Sequence, residues 1–368
     1  MRQSTDVFVI GGGPAGLAAA IAARGQGFDV MVADGAEPPI DKACGEGLMP
    51  DTIGVLKQLG ISVSALDGFA FRGMRFIDGN LSVKAEFAAG QGIGVRRVVL
   101  HRHLMECARK AGVSLHWKSA VTGISPAGVT MAGKTIQARW IIGADGIRSR
   151  VRSWAGLERS HRPQLRYAFR RHYRVAPWSD SCEVYWGTNA QAYVTPVSST
   201  EVCVVLISSH PQGRFASMDT KFPRLTERLA SWKPVGSERG AVTFSHSLQR
   251  VYRGHVALIG DASGSVDAIT GDGLCLSFHQ AKALADSLVA GDLSRYQAEH
   301  HRLARRPTLM GRVLLLLDRQ PNLRCRAMRA LAAHPDLFAR LLAVHVGDTS
   351  TTHLAATGAL LGWRLLAA

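Results

Sequence analysis

Val7-Phe8-Val9-Ile10 runs directly into Gly11-Gly12-Gly13-Pro14-Ala15-Gly16 near the start of the chain. Four consecutive apolar residues suit a buried strand, and an Ala-rich helix opens at the glycines and ends near Gly25 or Gly27. A second strand, Val30-Met31-Val32, stops at Asp34. This order predicts a βαβ unit with a specific purpose. In the pattern Gly11-x-Gly13-x-x-Gly16, Gly11 permits the tight turn, Gly13 lets the backbone approach a pyrophosphate, and Gly16 lets the helix pack close to the sheet. The helix N-terminus, with Pro14 and Ala15 in its first turn, adds partial positive charge for the phosphates. Asp34 is placed to accept both hydroxyls of an adenosine ribose. The element predicts a dinucleotide but does not say which one.

The chain of 368 residues, 46% hydrophobic and 20% charged, is long enough for one large or two ordinary cores. No apolar run reaches the roughly 18 residues of a transmembrane helix, and the Gly-Gly-Gly-Pro break spoils the N-terminal stretch as a secretion signal. The six cysteines form no C-x-x-C pair and no zinc spacing, so no metal is expected, and the pattern fits a reducing cytoplasm. The net charge of +16 is carried mostly by arginine, scattered without a nucleic-acid motif or stacking platform, so no nucleic-acid partner is expected.

Further along, a helix carries Leu100, Leu104, Ala108 and Ala111 on one face, and Asp78-Gly79 marks a hairpin turn. The stretch Gln137 to Ile142 leads as a strand into Gly143-Ala144-Asp145-Gly146. Repeated strands follow between Leu165 and Ser209, with one helix near Arg224–Trp232. A buried strand, His255–Ile259, meets Gly260-Asp261-Ala262, and another helix begins after Gly273 in Gly271-Asp272-Gly273. Beyond about Asp292 the chain is helical and broken at Pro307, Pro321 and Pro335.

Those glycine-acid segments, in this order, resemble the second and third fingerprints of FAD-dependent monooxygenases, geranylgeranyl reductases and flavin-dependent halogenases. The resemblance covers roughly residues 5 to 290. It implies an α/β fold: a Rossmann-like FAD-binding domain with an inserted β-sheet substrate domain and a C-terminal helical segment. The FAD-binding domain is then discontinuous, over 1–68, 97–155 and 250–290. The β-sheet substrate domain takes 69–96 and 156–249, and the helical region 291–368. By the same resemblance Asp261 holds the flavin ribityl chain. The helix opening at Gly273 aims its amides at the flavin pyrimidine edge, which is anionic when reduced. Arg97 matches an arginine near the flavin pyrophosphate, and Asp145, Gly146, Gly260 and Gly271 complete the expected cofactor set.

Lys42-x-Cys44-Gly45-Glu46-Gly47-Leu48-Met49-Pro50 resembles both the K-x-C-G-x-G-L segment of geranylgeranyl reductases and the C-G-E-S-L-L-P segment of halogenases. Cys44 is either a reactive thiol or a small buried group, and Glu46 either a flavin-proximal acid or the cap of the next helix. Phe71 stands where halogenases have their relay lysine, and Ala192-Tyr193-Val194-Thr195-Pro196 replaces their W-x-W-x-I-P, which argues against halogenation. Asp267-Ala268 replaces the proline pair of aromatic hydroxylases, making Asp267 either a proton donor or a capping group. Alternation in Tyr167–Arg174 puts Tyr167, Phe169 and Tyr173 on a core face, and Arg170, His172 and Arg174 on a solvated one. Tyr193 and Trp186 are candidates for the roof of an apolar pocket.

The resemblance implies FAD reduced by NADH or NADPH, acting on a small, mainly apolar organic substrate under the β-sheet insert. The leading expectation is a monooxygenase that hydroxylates or epoxidises it through a flavin C4a-hydroperoxide. The alternative is a reductase of carbon–carbon double bonds, with hydride from flavin N5 and a proton from Cys44 or Asp267. Nine arginines from Arg302 to Arg340, against Asp318 and Asp336, make the C-terminal helices a candidate surface for a membrane or a carrier protein. Leu360–Leu366 is too short to span a bilayer. The residues leave the substrate, the nicotinamide preference and the oligomeric state open.

Overall fold

The computed structural model describes residues 4–63, 68–158 and 164–347. The apolar strand Ser4–Ile10 lies inside an eight-stranded sheet, ordered Tyr252–Arg253, Val256–Leu258, Lys134–Gly143, Ser4–Ile10, Val30–Ala33, Ser114–His116. A hairpin, Val121–Ser125 with Gly128–Met131, extends the front half of Lys134–Gly143. The pairings from Val256–Leu258 through Ser114–His116 are all parallel. Val7, Phe8 and Val9 are fully buried, as continuous apolar runs in parallel sheets require. Helices Pro14–Gly25, Arg97–Lys110 and Gly273–Ala290 pack together beside this sheet. Gly11, Asp34, Asp145 and Asp261 therefore all follow the carboxyl ends of parallel strands, the edge where doubly wound sheets bind ligands.

A second sheet has seven strands, ordered Pro234–Thr243, Arg166–Tyr173, Glu201–Ser208, Ala190–Ser198, Ser181–Gly187, Gly73–Asp78, Leu81–Glu86. It is antiparallel except where Ser181–Gly187 meets Gly73–Asp78. Asp78-Gly79 turns the last hairpin, with Gly79 at φ 55°. Strands Phe69–Phe71 and Gly92–Gly94 do not join it; Gly92–Gly94 pairs on one side with Phe69–Phe71 and on the other with Gly47–Leu48 in a three-stranded sheet. One face of Arg166–Tyr173 is the expected core, Phe169 and Tyr173 packing with Phe215, Phe222, Leu225 and Leu229.

The opposite face corrects the sequence expectation. Arg174 is exposed, but Arg170 and His172 are each only 3% exposed, because the face is covered by the segment around Asp41–Glu46 rather than by water. A second correction concerns the C-terminal helices. Pro307 does not break the chain but lies inside the helix Leu293–Arg319, buried. A mid-helix proline costs about 3 kcal/mol; packing of this helix on Gly273–Ala290 and on the turn Ala268–Thr270 holds it together. Pro321 and Pro335 start the next helices, Pro321–Ala333 and Pro335–His345, where a missing N–H costs nothing. The Leu360–Leu366 segment lies outside the described residues, and no described helix is long and apolar enough to cross a membrane.

Candidate functional site

A cleft of about 540 Å³ runs along the carboxyl edge of the parallel sheet and continues under the seven-stranded sheet. Its floor is the Gly-rich turn. A Cβ built on Gly16 would sit 1.9 Å from the Gly11 carbonyl oxygen, and one on Gly11 would sit 2.4 Å from that of Ala144. Gly16 therefore serves helix-to-turn contact and does not line the cleft. Gly13 is the opposite case: a Cβ there would meet nothing within 4 Å, and its φ of −69° suits any residue. What Gly13 leaves free is cleft volume. Pro14 and Ala15 line the same space, and no side chain caps this helix.

The remaining expected residues fall into two groups. Asp34, Lys42, Cys44, Gly45, Arg97, Asp145, Gly146, Asp261, Gly271 and Gly273 line the cleft. Gly260 does not; at φ +61°, its Cβ would lie 2.8 Å from that of Ala15, so it acts in packing. Asp34 accepts from the Gly12 and Ala36 amides, both at 2.7 Å, which fixes its carboxylate at the strand end. Asp145 accepts from Ser149 Oγ at 2.5 Å and the Arg150 amide at 2.7 Å, so it organises the short helix Arg150–Trp154. Lys42 Nζ stands 3.8 Å from Asp261, both half-exposed in the cleft.

Residues 44–47 pass over the cleft and are held to the seven-stranded sheet. Thr195 Oγ1 donates to the Gly45 carbonyl at 2.8 Å, and the Cys44 sulfur accepts from the Glu46 amide at 3.4 Å. Glu46 is left-handed at φ 60° and 2% exposed, a conformation costing a non-glycine residue about 1 kcal/mol or more. Its carboxylate has three partners that outweigh the cost: the Arg97 amide at 2.9 Å, Arg170 Nη1 at 3.0 Å and His172 Nε2 at 2.6 Å. Glu46 thus caps a helix, but the helix is Arg97–Lys110; the next one in sequence, Pro50–Gln58, has no side-chain cap. Arg170 also makes a paired contact with Asp41 at 2.8 and 2.9 Å. Burial opposes charge on Asp41, yet Arg170 and Arg239 outweigh it and hold the carboxyl below its usual range. Cys203 lies beside Glu46 and His172, but Arg170 already neutralises the carboxylate they share.

Asp267 is 5% exposed, accepts from the Ile269 amide at 3.0 Å and lies 3.8 Å from Arg166. It caps the turn Ala268–Thr270 at the cleft wall. Tyr193 lines the cleft and its hydroxyl donates to the Ile269 carbonyl at 2.5 Å; burial pushes its pKa far up, so it stays neutral. Burial likewise raises the Cys182 thiol, another cleft residue, to about 11. Trp186 does not reach this cleft. It lines a second cavity of about 520 Å³ between the sheet and the C-terminal helices, with Phe76, Ile269, Leu314, Met328 and Phe338. Met74, Tyr193 and Thr270 line both spaces, so the two adjoin.

Sequence reasoning missed the joint role of Glu46, Arg170, His172 and Asp41. The available signal was an acid in the crossing segment and two basic residues on one strand face. Their pairing across more than a hundred residues was not legible.

Three features fit a flavin dinucleotide. The glycines Gly13, Gly45, Gly271 and Gly273 each leave a Cβ-sized space unfilled. The helices at Pro14 and Gly273 present uncapped N-termini to the cleft. Arg97, on the cleft wall, holds a buried Nε with no partner among the described residues.

Comparisons with known proteins agree. The chain is 27% identical over 341 residues to a digeranylgeranylglycerophospholipid reductase of Methanocella arvoryzae, covering 81% of this chain and 83% of that one. Its fold matches a flavoprotein/dehydrogenase from Cytophaga hutchinsonii with TM-score 0.81 at 21% identity, covering 93% of each chain. PqsL, a probable FAD-dependent monooxygenase from Pseudomonas aeruginosa, matches with TM-score 0.73 at 21% identity, covering 86% of this chain and 97% of that one. The family model described as FAD binding domain matches residues 4–304. The chain belongs to that FAD-binding-domain family and is an FAD-dependent oxidoreductase.

Proposed function

We propose that the protein reduces carbon–carbon double bonds in a long, isoprenoid-like apolar chain. The observation that carries this is the second cavity. Its lining is apolar apart from Tyr193, Thr270, Arg324 and His345, and it adjoins the flavin cleft at Met74, Tyr193 and Thr270. A chain several isoprene units long needs space beyond the cleft that the flavin would occupy, and the second cavity supplies it. Similarity to a reductase whose substrate carries geranylgeranyl chains supports the same choice, as does the Lys42-x-Cys44-Gly45-x-Gly47-Leu48 segment.

Bound FAD in its reduced form supplies the hydride. The chain's own residues do the rest. Ala168, Val205 and Ile207 form an apolar ceiling over the cleft, which keeps bulk water away from the reacting double bond. Cys44 faces the cleft from the crossing segment and is the proposed proton donor. Asp267 has its carboxylate engaged in capping and facing Arg166, which leaves the donor role to Cys44. NADH or NADPH is the proposed source of electrons.

The test is anaerobic turnover. Enzyme reduced with dithionite and given a geranylgeranyl lipid without oxygen is expected to yield product heavier by two hydrogens per bond. Cys44→Ser is expected to keep its FAD and lose most of that rate. If product forms only with oxygen and gains an oxygen atom, double-bond reduction is wrong and the monooxygenase alternative holds.

A further inference from the structure

Leu309, Val313 and Leu316 lie on the helix Leu293–Arg319 and are 44%, 43% and 50% exposed. Apolar side chains scattered singly over a surface need no explanation. These three are not scattered: spacings of four and three residues put them on one helix face, in a stripe roughly 10 Å long. All three also line the second cavity. The cavity therefore opens at this stripe, and its apolar wall continues onto the outer surface of the helix. An apolar area that runs from an interior cavity to the surface marks an interaction site.

Arg305, Arg312 and Arg319 form a second row on the same helix, and all three are exposed. At about 100° per residue, the two rows are about a quarter turn apart or less. Among the described residues neither Arg305 nor Arg312 has an acidic partner, and Arg319 meets only Gln164. The arginines wall a groove of about 900 Å³ that runs past Asp267. The acids in that groove, Asp267 and Asp318, both face Arg166 and do not neutralise the row. Leu309 lines the groove and the cavity alike, so the charged row and the apolar stripe share a border.

We propose that this face docks on an anionic lipid bilayer. Leu309, Val313 and Leu316 enter the acyl boundary, while Arg305, Arg312 and Arg319 stay at the headgroups and meet lipid phosphates. The same orientation turns the cavity mouth toward the bilayer, so an apolar chain passes from lipid to cavity without crossing water. The net charge of +16 adds long-range attraction to such a surface. Charge also favours a bilayer over a second copy of this chain, because a two-fold contact centred here would bring two unneutralised arginine rows together. An acidic carrier protein would meet the arginines but offers no apolar phase continuous with the cavity.

The test is flotation of the FAD-loaded protein with phosphatidylcholine vesicles, with and without phosphatidylglycerol, in the absence of substrate and reductant. Wild type is expected to bind the phosphatidylglycerol vesicles about tenfold or more tightly than the neutral ones, and to come off as salt is raised. Arg305→Glu/Arg312→Glu is expected to weaken binding to the anionic vesicles by about tenfold or more. Leu309→Ser/Val313→Ser is expected to weaken it to a similar degree. FAD content and melting temperature are expected to stay unchanged in both. Should either double variant fail to fold, Arg312→Gln and Val313→Ser carry the same comparison. Wild type that floats with neither vesicle would overturn the proposal and leave this face to a protein partner. Binding indifferent to lipid charge would overturn it, as would binding that survives both sets of substitutions, which would place the contact elsewhere on the chain. No turnover occurs in this assay, so a negative result leaves double-bond reduction standing.

Discussion

Two glycines of the first turn, three residues apart, are predicted to fail in opposite ways when each is replaced by alanine. At Gly16 the new Cβ would lie 1.9 Å from the Gly11 carbonyl oxygen and 3.1 Å from its carbon. Neither is a flexible side-chain end, so the helix Pro14–Gly25 has to move away from the turn by an ångström or more. Overpacking of this kind costs about 1–3 kcal/mol or more, and the gain in helix propensity from glycine to alanine returns about 1 kcal/mol. The expected net loss is about 2 kcal/mol in the protein without FAD. At Gly13 the Cβ meets nothing within 4 Å, and φ −69°, ψ 176° is open to alanine. Gly13→Ala is therefore expected to leave the FAD-free protein as stable as wild type, or slightly more so because its unfolded chain is stiffer. The same methyl group fills the space where a pyrophosphate oxygen would approach the helix N-terminus. Losing one charge-assisted hydrogen bond costs about 1.5–3 kcal/mol, a weakening of FAD binding by about ten- to a hundredfold. The assay is thermal unfolding of FAD-stripped protein, paired with FAD titration followed by quenching of flavin fluorescence. Normal FAD affinity in Gly13→Ala, or a Gly16→Ala protein as stable as wild type without FAD, would refute the assignment of these roles.

Glu46→Ala removes the acceptor shared by the Arg97 amide, Arg170 and His172. It is expected to cost roughly 3 kcal/mol, read as a melting temperature several degrees lower, while Arg170 keeps Asp41. His300 gives a pH signature. Its folded pKa of about 4 lies below the ordinary 6.5, so below pH 6.5 the unfolded chain binds the proton first. Stability is then full above about pH 6.5 and declines as pH falls toward 4, by roughly 3 kcal/mol at most. His300→Gln is expected to flatten that limb of a melting-temperature profile, and an unchanged slope would show that another group sets it.

The sequence by itself settled the parts of this protein whose physics is local. Gly11, Gly13 and Gly16 sit in one strand–turn–helix unit whose demands are local, and the later glycine-acid turns were recognisable by their resemblance to a family, so the fold class and the family were legible without coordinates. Alternation also sufficed for the aromatic face of Arg166–Tyr173, because period two follows from the backbone alone. It did not say what covers the other face. Arg170 and His172 have the composition of a solvated stripe, and only the crossing segment at Asp41–Glu46 turns that stripe into a buried anchor. Pro307 is a similar case: its intrinsic cost predicts a break, and packing on neighbouring elements decides for a continuous helix. The apolar cavity beyond Tyr193 and the arginine-lined groove beyond Asp267 belong wholly to the tertiary structure. Each is a space between segments distant in the chain, and no stretch of sequence contains an empty volume.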